Sequence, residues 1–244
     1  MSDSRRTLLA WEGFWRDAPP GAGQVFWDSD PSLTARVHLP ILAGHADAAL
    51  PLVDLGCGNG TQTRYLAGHF GRVLGVDGAA AAIDRARSEG PDAVVEFRRL
   101  DAADEAAVRA LHAELGDSNV YMRGLLHQCT AGERARIAAN TAALLGRRGR
   151  LFAVEPVAAA KEALQTLAQG PDGPPAKVRA VLAHGIAPGE MPDSELPALL
   201  RAHGLRIAAS GQLPLTTTEY GADGSLIELP SQWAVAGASE APGG

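Results

Sequence analysis

Residues 53–60 read VDLGCGNG. An apolar run ends in an acid, Asp54, and glycines follow on alternate positions, Gly56, Gly58 and Gly60. With Leu52 the run reads as a strand, and TQTRYLAGHF (61–70) after it reads as a helix. Glycine in such a strand-to-helix turn lets the backbone approach a bound ligand, because no Cβ stands in the way. A tight turn with no ligand is the bland alternative. The context narrows it: a second acid, Asp77, ends the next apolar run, RVLGVD (72–77), 17 residues after Gly60. That is near the ~20-residue spacing of a carboxylate that holds a ribose.

Two ligand classes compete for the turn. A dinucleotide site wants G-x-G-x-x-G, with pyrophosphate on the helix N-terminus. Here the spacing is G-x-G-x-G, Thr61 stands where the third glycine should fall, and Asp54 would repel a pyrophosphate. A cationic ligand without phosphate fits better.

Outward from the turn, strand and helix patterns alternate. AAAAIDRARSE (79–89) is a helix, AVVEFRRLD (93–101) a strand and DEAAVRALHAEL (104–115) a helix. NVYMRG (119–124) is a short fourth strand, AGERARIAANTAALL (131–145) a helix and GRLFAVEP (149–156) a fifth strand. Such alternation predicts an α/β fold, with a parallel sheet covered on both faces. It stops after Pro156. Residues 157–204 hold helical segments broken by GPDGPP (170–175) and GIAPGEMP (185–192). RIAASGQLPL (206–215) and SQWAVAGA (231–238) then predict an antiparallel pair across a long loop, 214–229, and the tail 239–244 is expected to fray.

The first fifty residues differ in character. Trp11, Phe14, Trp15, Phe26 and Trp27 are five of the twelve aromatics in the chain. The first three share one face of a short helix, which DAPPGAG (17–23) breaks. A second helix is expected from SDPSLTARVHLPIL (29–42), with Ser32 as its cap. The aromatic helix either packs on the domain or forms a lid, with Phe26 or Trp27 against a ligand; an aromatic face attracts a cation by about 0.5–2 kcal/mol.

Composition excludes several classes. A chain of 244 residues that is 46% hydrophobic can bury a full core. The net charge of −6, with 20 scattered arginines and only Lys161 and Lys177 as lysines, argues against nucleic-acid binding. Two cysteines, Cys57 and Cys129, make no disulfide framework, and a reducing cytoplasm fits best. No apolar stretch reaches the ~20 residues of a membrane span, and no histidine or cysteine spacing suggests a metal.

At this point the motifs resemble a known family. VDLGCGNGTQTRYLA (53–67), VLGVDGAAAAIDRAR (73–87) and FRRLDAAD (97–104) resemble the first three motifs of class I S-adenosylmethionine-dependent methyltransferases. NVYMRGLLHQ (119–128) resembles the fourth-strand segment of their small-molecule branch, and lacks the Asn-Pro-Pro-Tyr tetrad of amide- and adenine-methylating relatives. The resemblance implies a Rossmann-like fold: a mainly parallel seven-stranded sheet with an antiparallel last strand. The resemblance covers about 51–156 and, more loosely, the terminal pair of strands; the expected division is an S-adenosylmethionine-binding domain at 51–244, with a helical insertion at about 157–192, behind the helical aromatic cap at 1–50. The resemblance further implies that Gly56, Cys57, Gly58 and Gly60 pass close to the methionine and ribose parts of the cofactor. Asp54 would reach the ammonium, Asp77 with Gly78 the ribose hydroxyls, and Asp101 with Ala102 the adenine; a turn role is the alternative for Asp101.

Methyl transfer from a sulfonium needs an aligned nucleophile and, for an alcohol or phenol, a base. The candidate base is His127, beyond the fourth strand, where ligands of such sheets bind; its alternative is to orient a loop. Arg123 is the candidate for holding a carboxylate through a bidentate pair, with a surface ion pair as its alternative. Tyr121 reads as core. Trp27 and Asp28 are candidates from the cap, Asp28 for the ammonium. Glu219 and Tyr220 are candidates to enter the pocket from the loop between the last two strands. The expected activity is methylation of a small molecule in a biosynthetic pathway. Two alternatives keep the fold: cyclisation of the cofactor to azetidine-2-carboxylate and methylthioadenosine, or a silent cofactor-binding module.

Overall fold

The computed structural model describes residues 3–88, 95–169, 173–187, 191–221 and 223–239. Strands β1 (Leu52–Leu55), β2 (Val73–Asp77), β3 (Val95–Arg99), β4 (Asn119–Arg123) and β5 (Leu151–Pro156) alternate with helices, as their apolar runs predict. Strands buried on both faces have no polar side to alternate with, so they read as continuous Val/Leu runs. Two further strands, β6 (Leu205–Gln212) and β9 (Ser231–Ala238), complete a seven-stranded sheet of order β3-β2-β1-β4-β5-β9-β6. β1 to β5 pair in parallel, and β9 runs antiparallel to both β5 and β6.

The sheet divides two apolar layers. Val53, Leu55, Val76, Val120 and Met122 face α5 (Glu105–Leu115), α6 (Ala131–Leu145) and α9 (Glu195–Ala202) through Val108, Ile137 and Leu196. Leu52, Val73, Phe97, Tyr121 and Phe152 face α2 (Ala35–Ala43), α3 (Thr61–Ala67), α4 (Ala80–Ser88) and α7 (Ala158–Ala168) through Leu42, Leu66, Ile83 and Ala160. Strand order reverses between β1 and β4. That places the ligand crevice at their carboxyl ends.

α1 (Asp3–Asp17) carries the aromatic face. Phe14 and Trp15 are buried, in one cluster with Ala79, just before α4, with Ala82 of α4 and with Ile186, which follows α8 (Ala176–Ala183). The two helices α1 and α4 cap each other: Glu12 accepts from Ala81 N of α4 at 3.2 Å, and Arg85 of α4 donates to the carbonyls of Trp15, Ala18 and Pro19 at the end of α1.

Two expectations change, the Ser32 cap and the 214–229 loop. Ser32 does not cap α2; it lies in a 3-10 turn, Pro31–Leu33, and donates its backbone N–H to the cap residue Asp30 at 2.8 Å. Asp30 takes the cap because it directly precedes the proline that opens the turn, which leaves its carboxylate within reach of the N–H two residues on. Phe26 is buried in the second apolar layer, on which Trp27 also packs. Residues 214–229 are not a plain loop: β7 (Leu215–Tyr220) and β8 (Leu226–Leu229) form a separate antiparallel ribbon. Tyr220 at the end of β7 is 66% exposed, and Glu219 is half-buried. The tail beyond Ser239 lies outside the described residues, as do parts of the two breaks at 170–175 and 185–192.

Candidate functional site

The glycine turn sits where β1 delivers it. Gly56 N and Cys57 N both donate to Val76 O of β2, at 2.8 and 3.0 Å, which curls the chain back over the strand end. Gly58 has φ +55° and Gly60 φ +80°, a region open to glycine and costly to other residues. Space is short as well: a Cβ on Gly58 would lie 2.7 Å from the Trp15 ring, and one on Gly60 2.5 Å from Phe97. The Cys57 thiol turns away from the crevice, towards Gly75, and burial pushes its pKa well up.

The strand-terminal acids stand around this turn. Asp54 is buried and accepts from Thr63 Oγ1 at 2.6 Å. Burial pushes its carboxyl up to about 6, against the Thr63 hydrogen bond and the nearby Arg123, which hold it down. Asp77 accepts from Ala79 N at 2.9 Å with one oxygen and from Gly58 N at 3.1 Å with the other. Burial raises its pKa, opposed by those two bonds, and Glu12 of α1 adds to the rise. A carboxylate has about four acceptor sites, so Asp77 retains capacity for two further donors. Leu8 of α1 covers Gly78, within 2.7 Å of where a Cβ would stand.

Asp28 clamps the turn from outside, accepting from Asn59 Nδ2 at 2.9 Å and Gly23 N at 3.0 Å. Trp27 packs edge-on against Trp11, with ring centroids 5.2 Å apart, and its carbonyl accepts from Arg123 Nη2 at 3.0 Å. Arg123 thus turns inward beside Asp54, and among the described residues it makes no surface ion pair. Tyr121 is core: its hydroxyl pairs with His38 Nδ1 at 2.8 Å. Burial, with Arg123 close by, lowers His38 to about 3. Asp101 is exposed and turns back on Ala103 N at 2.9 Å; Asp104, not Asp101, caps α5. Ala102 is half-buried, and its carbonyl accepts from Asn140. The structure therefore gathers Asp54, the glycines, Asp77, Gly78, Trp27, Asp28 and Arg123 around the glycine turn, with Asp101 beside Gly78 and Ala102 next to it in the chain.

His127 lies in the 3-10 turn Leu126–Gln128 after β4. That turn abuts the glycine loop, since Leu125 lies against Gly56. A residue missing from the sequence reading organises it. Glu155, at the end of β5, is fully buried. It accepts from the backbone N–H of Leu125, Leu126 and His127, at 2.9, 2.8 and 3.2 Å, and from His127 Nδ1 at 2.8 Å. Four donors on one carboxylate compensate for its burial. The sequence signal for it was that one more parallel strand, GRLFAVEP (149–156), closes on an acid. Among the described residues no group of three or more His, Cys, Asp or Glu is placed to hold a metal ion, and no helix is long and apolar enough to cross a membrane.

Comparison with known proteins agrees with this geometry. Residues 52–149 match the model of a methyltransferase domain. No curated protein matches the chain significantly. Among solved structures, a SAM-dependent methyltransferase from Anabaena variabilis is 26% identical, with a TM-score of 0.88 over 98% of this chain and 96% of its own. Magnesium protoporphyrin IX methyltransferase from Synechocystis, solved with bound S-adenosylhomocysteine, is 18% identical with a TM-score of 0.60, over 95% and 94% of the two chains. A protein that converts a disulfide into a thioacetal in echinomycin biosynthesis is 19% identical with a TM-score of 0.61, over 97% and 92%. Residues 52–149 are a methyltransferase domain, and the chain built around it has the fold of the class I, S-adenosylmethionine-dependent methyltransferases.

Proposed function

We propose that this chain methylates an O–H or N–H nucleophile of a small molecule, in a biosynthetic pathway, with His127 as the base. The single observation that carries the reading is the pairing of His127 Nδ1 with buried Glu155, in a turn that touches the glycine loop. With Nδ1–H given to the carboxylate, Nε2 carries the lone pair that can accept a proton. S-adenosylmethionine, when bound, supplies the activated methyl carbon. The chain's residues do the rest. Asp77 holds the ribose hydroxyls with its remaining acceptor sites, beside the Gly56–Gly60 backbone and Gly78. Asp101 and Ala102 serve the adenine edge. Asp54 pairs the ammonium, and Arg123 has donors left for the carboxylate. Trp27, Asp28 and the cap at 1–50 close the site over it and exclude water.

A small acceptor is supported by how the walls are tied together. Lys177 of α8 donates to Thr218 O and Oγ1 at 3.0 and 2.9 Å, and Thr218 N donates to Phe26 O at 2.9 Å. Insertion, ribbon and N-terminal segment thereby join around the crevice, which suits an enclosed acceptor better than a macromolecule.

The test is product analysis by mass spectrometry, first with S-adenosylmethionine alone and then with a panel of hydroxyl and amine acceptors. Without an acceptor, little S-adenosylhomocysteine and no methylthioadenosine above spontaneous decay is expected, because the nucleophile is missing from the line of attack. Sustained methylthioadenosine release that Asp77→Ala abolishes would replace methyl transfer by cyclisation. Cofactor binding with no turnover across the panel would favour a silent module.

Asp54 yields a separate prediction. Its folded pKa of about 6 lies above the ordinary carboxyl value of 3.8. Between those values the folded chain holds a proton that the unfolded chain has lost. Stability therefore falls as pH rises through that window, and above it the ionised Asp54 costs ~3 kcal/mol. Asp54→Asn keeps an oxygen for Thr63 and removes the charge. At pH 7.5 its Tm is expected to equal or exceed that of the wild type, while affinity for S-adenosylhomocysteine drops about tenfold for the lost charge-assisted pair. Calorimetry finding a lower Tm with full affinity would show Asp54 to be structural.

A further inference from the structure

The carboxamide of Gln128 lies on the outer nitrogen of His127: Gln128 Nε2 and His127 Nε2 are hydrogen-bond partners. Glu155 decides which of them donates. Because Nδ1–H is committed to the carboxylate at 2.8 Å, neutral His127 has a bare lone pair at Nε2, and the amide N–H of Gln128 fills it. An imidazole offers one such lone pair. While Gln128 holds it, Nε2 can take no proton from a nucleophile.

The other end of the same carboxamide is out of place. Gln128 Oε1 is buried and has no hydrogen-bond partner among the described residues. Buried acceptors are rarely left so. With a neutral imidazole, turning the amide over brings no relief, since Oε1 would then meet an Nε2 that bears no hydrogen. The backbone of the turn is fixed independently, with Gln128 N donating to Leu125 O at 3.2 Å and Cys129 N to Leu126 O at 3.0 Å. Only the side chain has to move to free the histidine.

We propose that Gln128 is a placeholder for the acceptor: its amide occupies His127 Nε2 until an acceptor's O–H or N–H displaces it. The freed carboxamide then receives a second donor of the acceptor on Oε1. The acceptor class is thus a small molecule with a protic nucleophile and a neighbouring hydroxyl or amine. Gln128 acts through His127 and through acceptor recognition; it is a positioning and specificity residue. The inference rests on the reading of His127 as base, and its test is independent of turnover.

Diethyl pyrocarbonate acylates unprotonated imidazole nitrogen, so it reads whether Nε2 is covered. The full chain is labelled at neutral pH and mapped by mass spectrometry, with the other six histidines as internal reference. In Gln128→Ala, labelling of His127 is expected to rise about tenfold, the population factor of a single net hydrogen bond. Gln128→Glu should act in the opposite direction. The carboxylate it introduces cannot donate to Nε2, so it favours an imidazolium held between that carboxylate and Glu155, and His127 labels more slowly than in the wild type. If buried His38 also gains label in the alanine variant, the fold has opened, and Gln128→Asn, which withdraws the amide but keeps its polarity, decides instead. Equal labelling of His127 in the wild type and the shortened variant overturns the placeholder and leaves the base reading to His127→Ala. Faster labelling together with slower labelling in the glutamate variant supports it.

Discussion

Replacing His127 by alanine is expected to lower methyl transfer to a hydroxyl or amine acceptor roughly 10²–10⁴-fold, the usual worth of a general base. Affinity for S-adenosylhomocysteine should stay near that of the wild type, because no cofactor-holding bond of the site is made by His127. The split matters: a loop-orienting histidine would weaken binding and turnover together, whereas a base affects turnover alone. Single-turnover transfer of an isotopically labelled methyl group to the best acceptor of the panel measures the first quantity, and calorimetry the second. Normal turnover in a folded variant would return His127 to a structural role. His127→Ala is a cleaner probe than any change at Glu155. Removing that carboxylate strands three backbone N–H groups in the interior, and buried unpaired donors are destabilising in themselves.

Asp77→Ala is expected to weaken S-adenosylhomocysteine binding by about 1.5–3 kcal/mol, roughly tenfold or more, the loss of charge-assisted bonds to two ribose hydroxyls. The same change frees Gly58 N and Ala79 N, which Asp77 now receives. Some loss of stability is therefore built into the alanine variant. Asp77→Asn controls for it: one oxygen remains for the backbone, the charge is gone, and the fold should hold while affinity still falls. Circular dichroism checks the fold and calorimetry the affinity. Unchanged affinity in both folded variants would remove Asp77 from the cofactor site.

Much of the fold was open to reading along the chain. Parallel strands buried on both faces leave mainly apolar runs of four to six residues, and LVDL, VLGVD and LFAVEP are such runs. Glycines at Gly56, Gly58 and Gly60 report a backbone that bends through conformations other residues avoid. These are local properties, carried by residue type and spacing. The cap of the 3-10 turn at Asp30 was equally local, and was misplaced on Ser32 because both residues suit a helix start. The ribbon at 215–229 was harder. Its Thr-rich strand is held on one side by Thr218 bonding to Val25 and Phe26, almost two hundred residues away in the chain.

The sequence by itself determined the α/β alternation, the methyltransferase motifs, and the two acids Asp54 and Asp77 that end β1 and β2. What only the tertiary structure decided is which distant groups meet. Trp15 comes to lie on Gly58 because α1 crosses α4. Asp28 reaches Asn59 because the segment after α1 returns over the glycine turn. Glu155 reads in sequence as one more strand-terminal acid. It becomes the anchor of His127 because β5 is hydrogen-bonded beside β4 in the sheet, which sets its carboxylate under the turn that follows β4. Residue spacing encodes the period of an element; it carries no information about which strand lies next to which, and the pairing of acid with histidine depends on that adjacency.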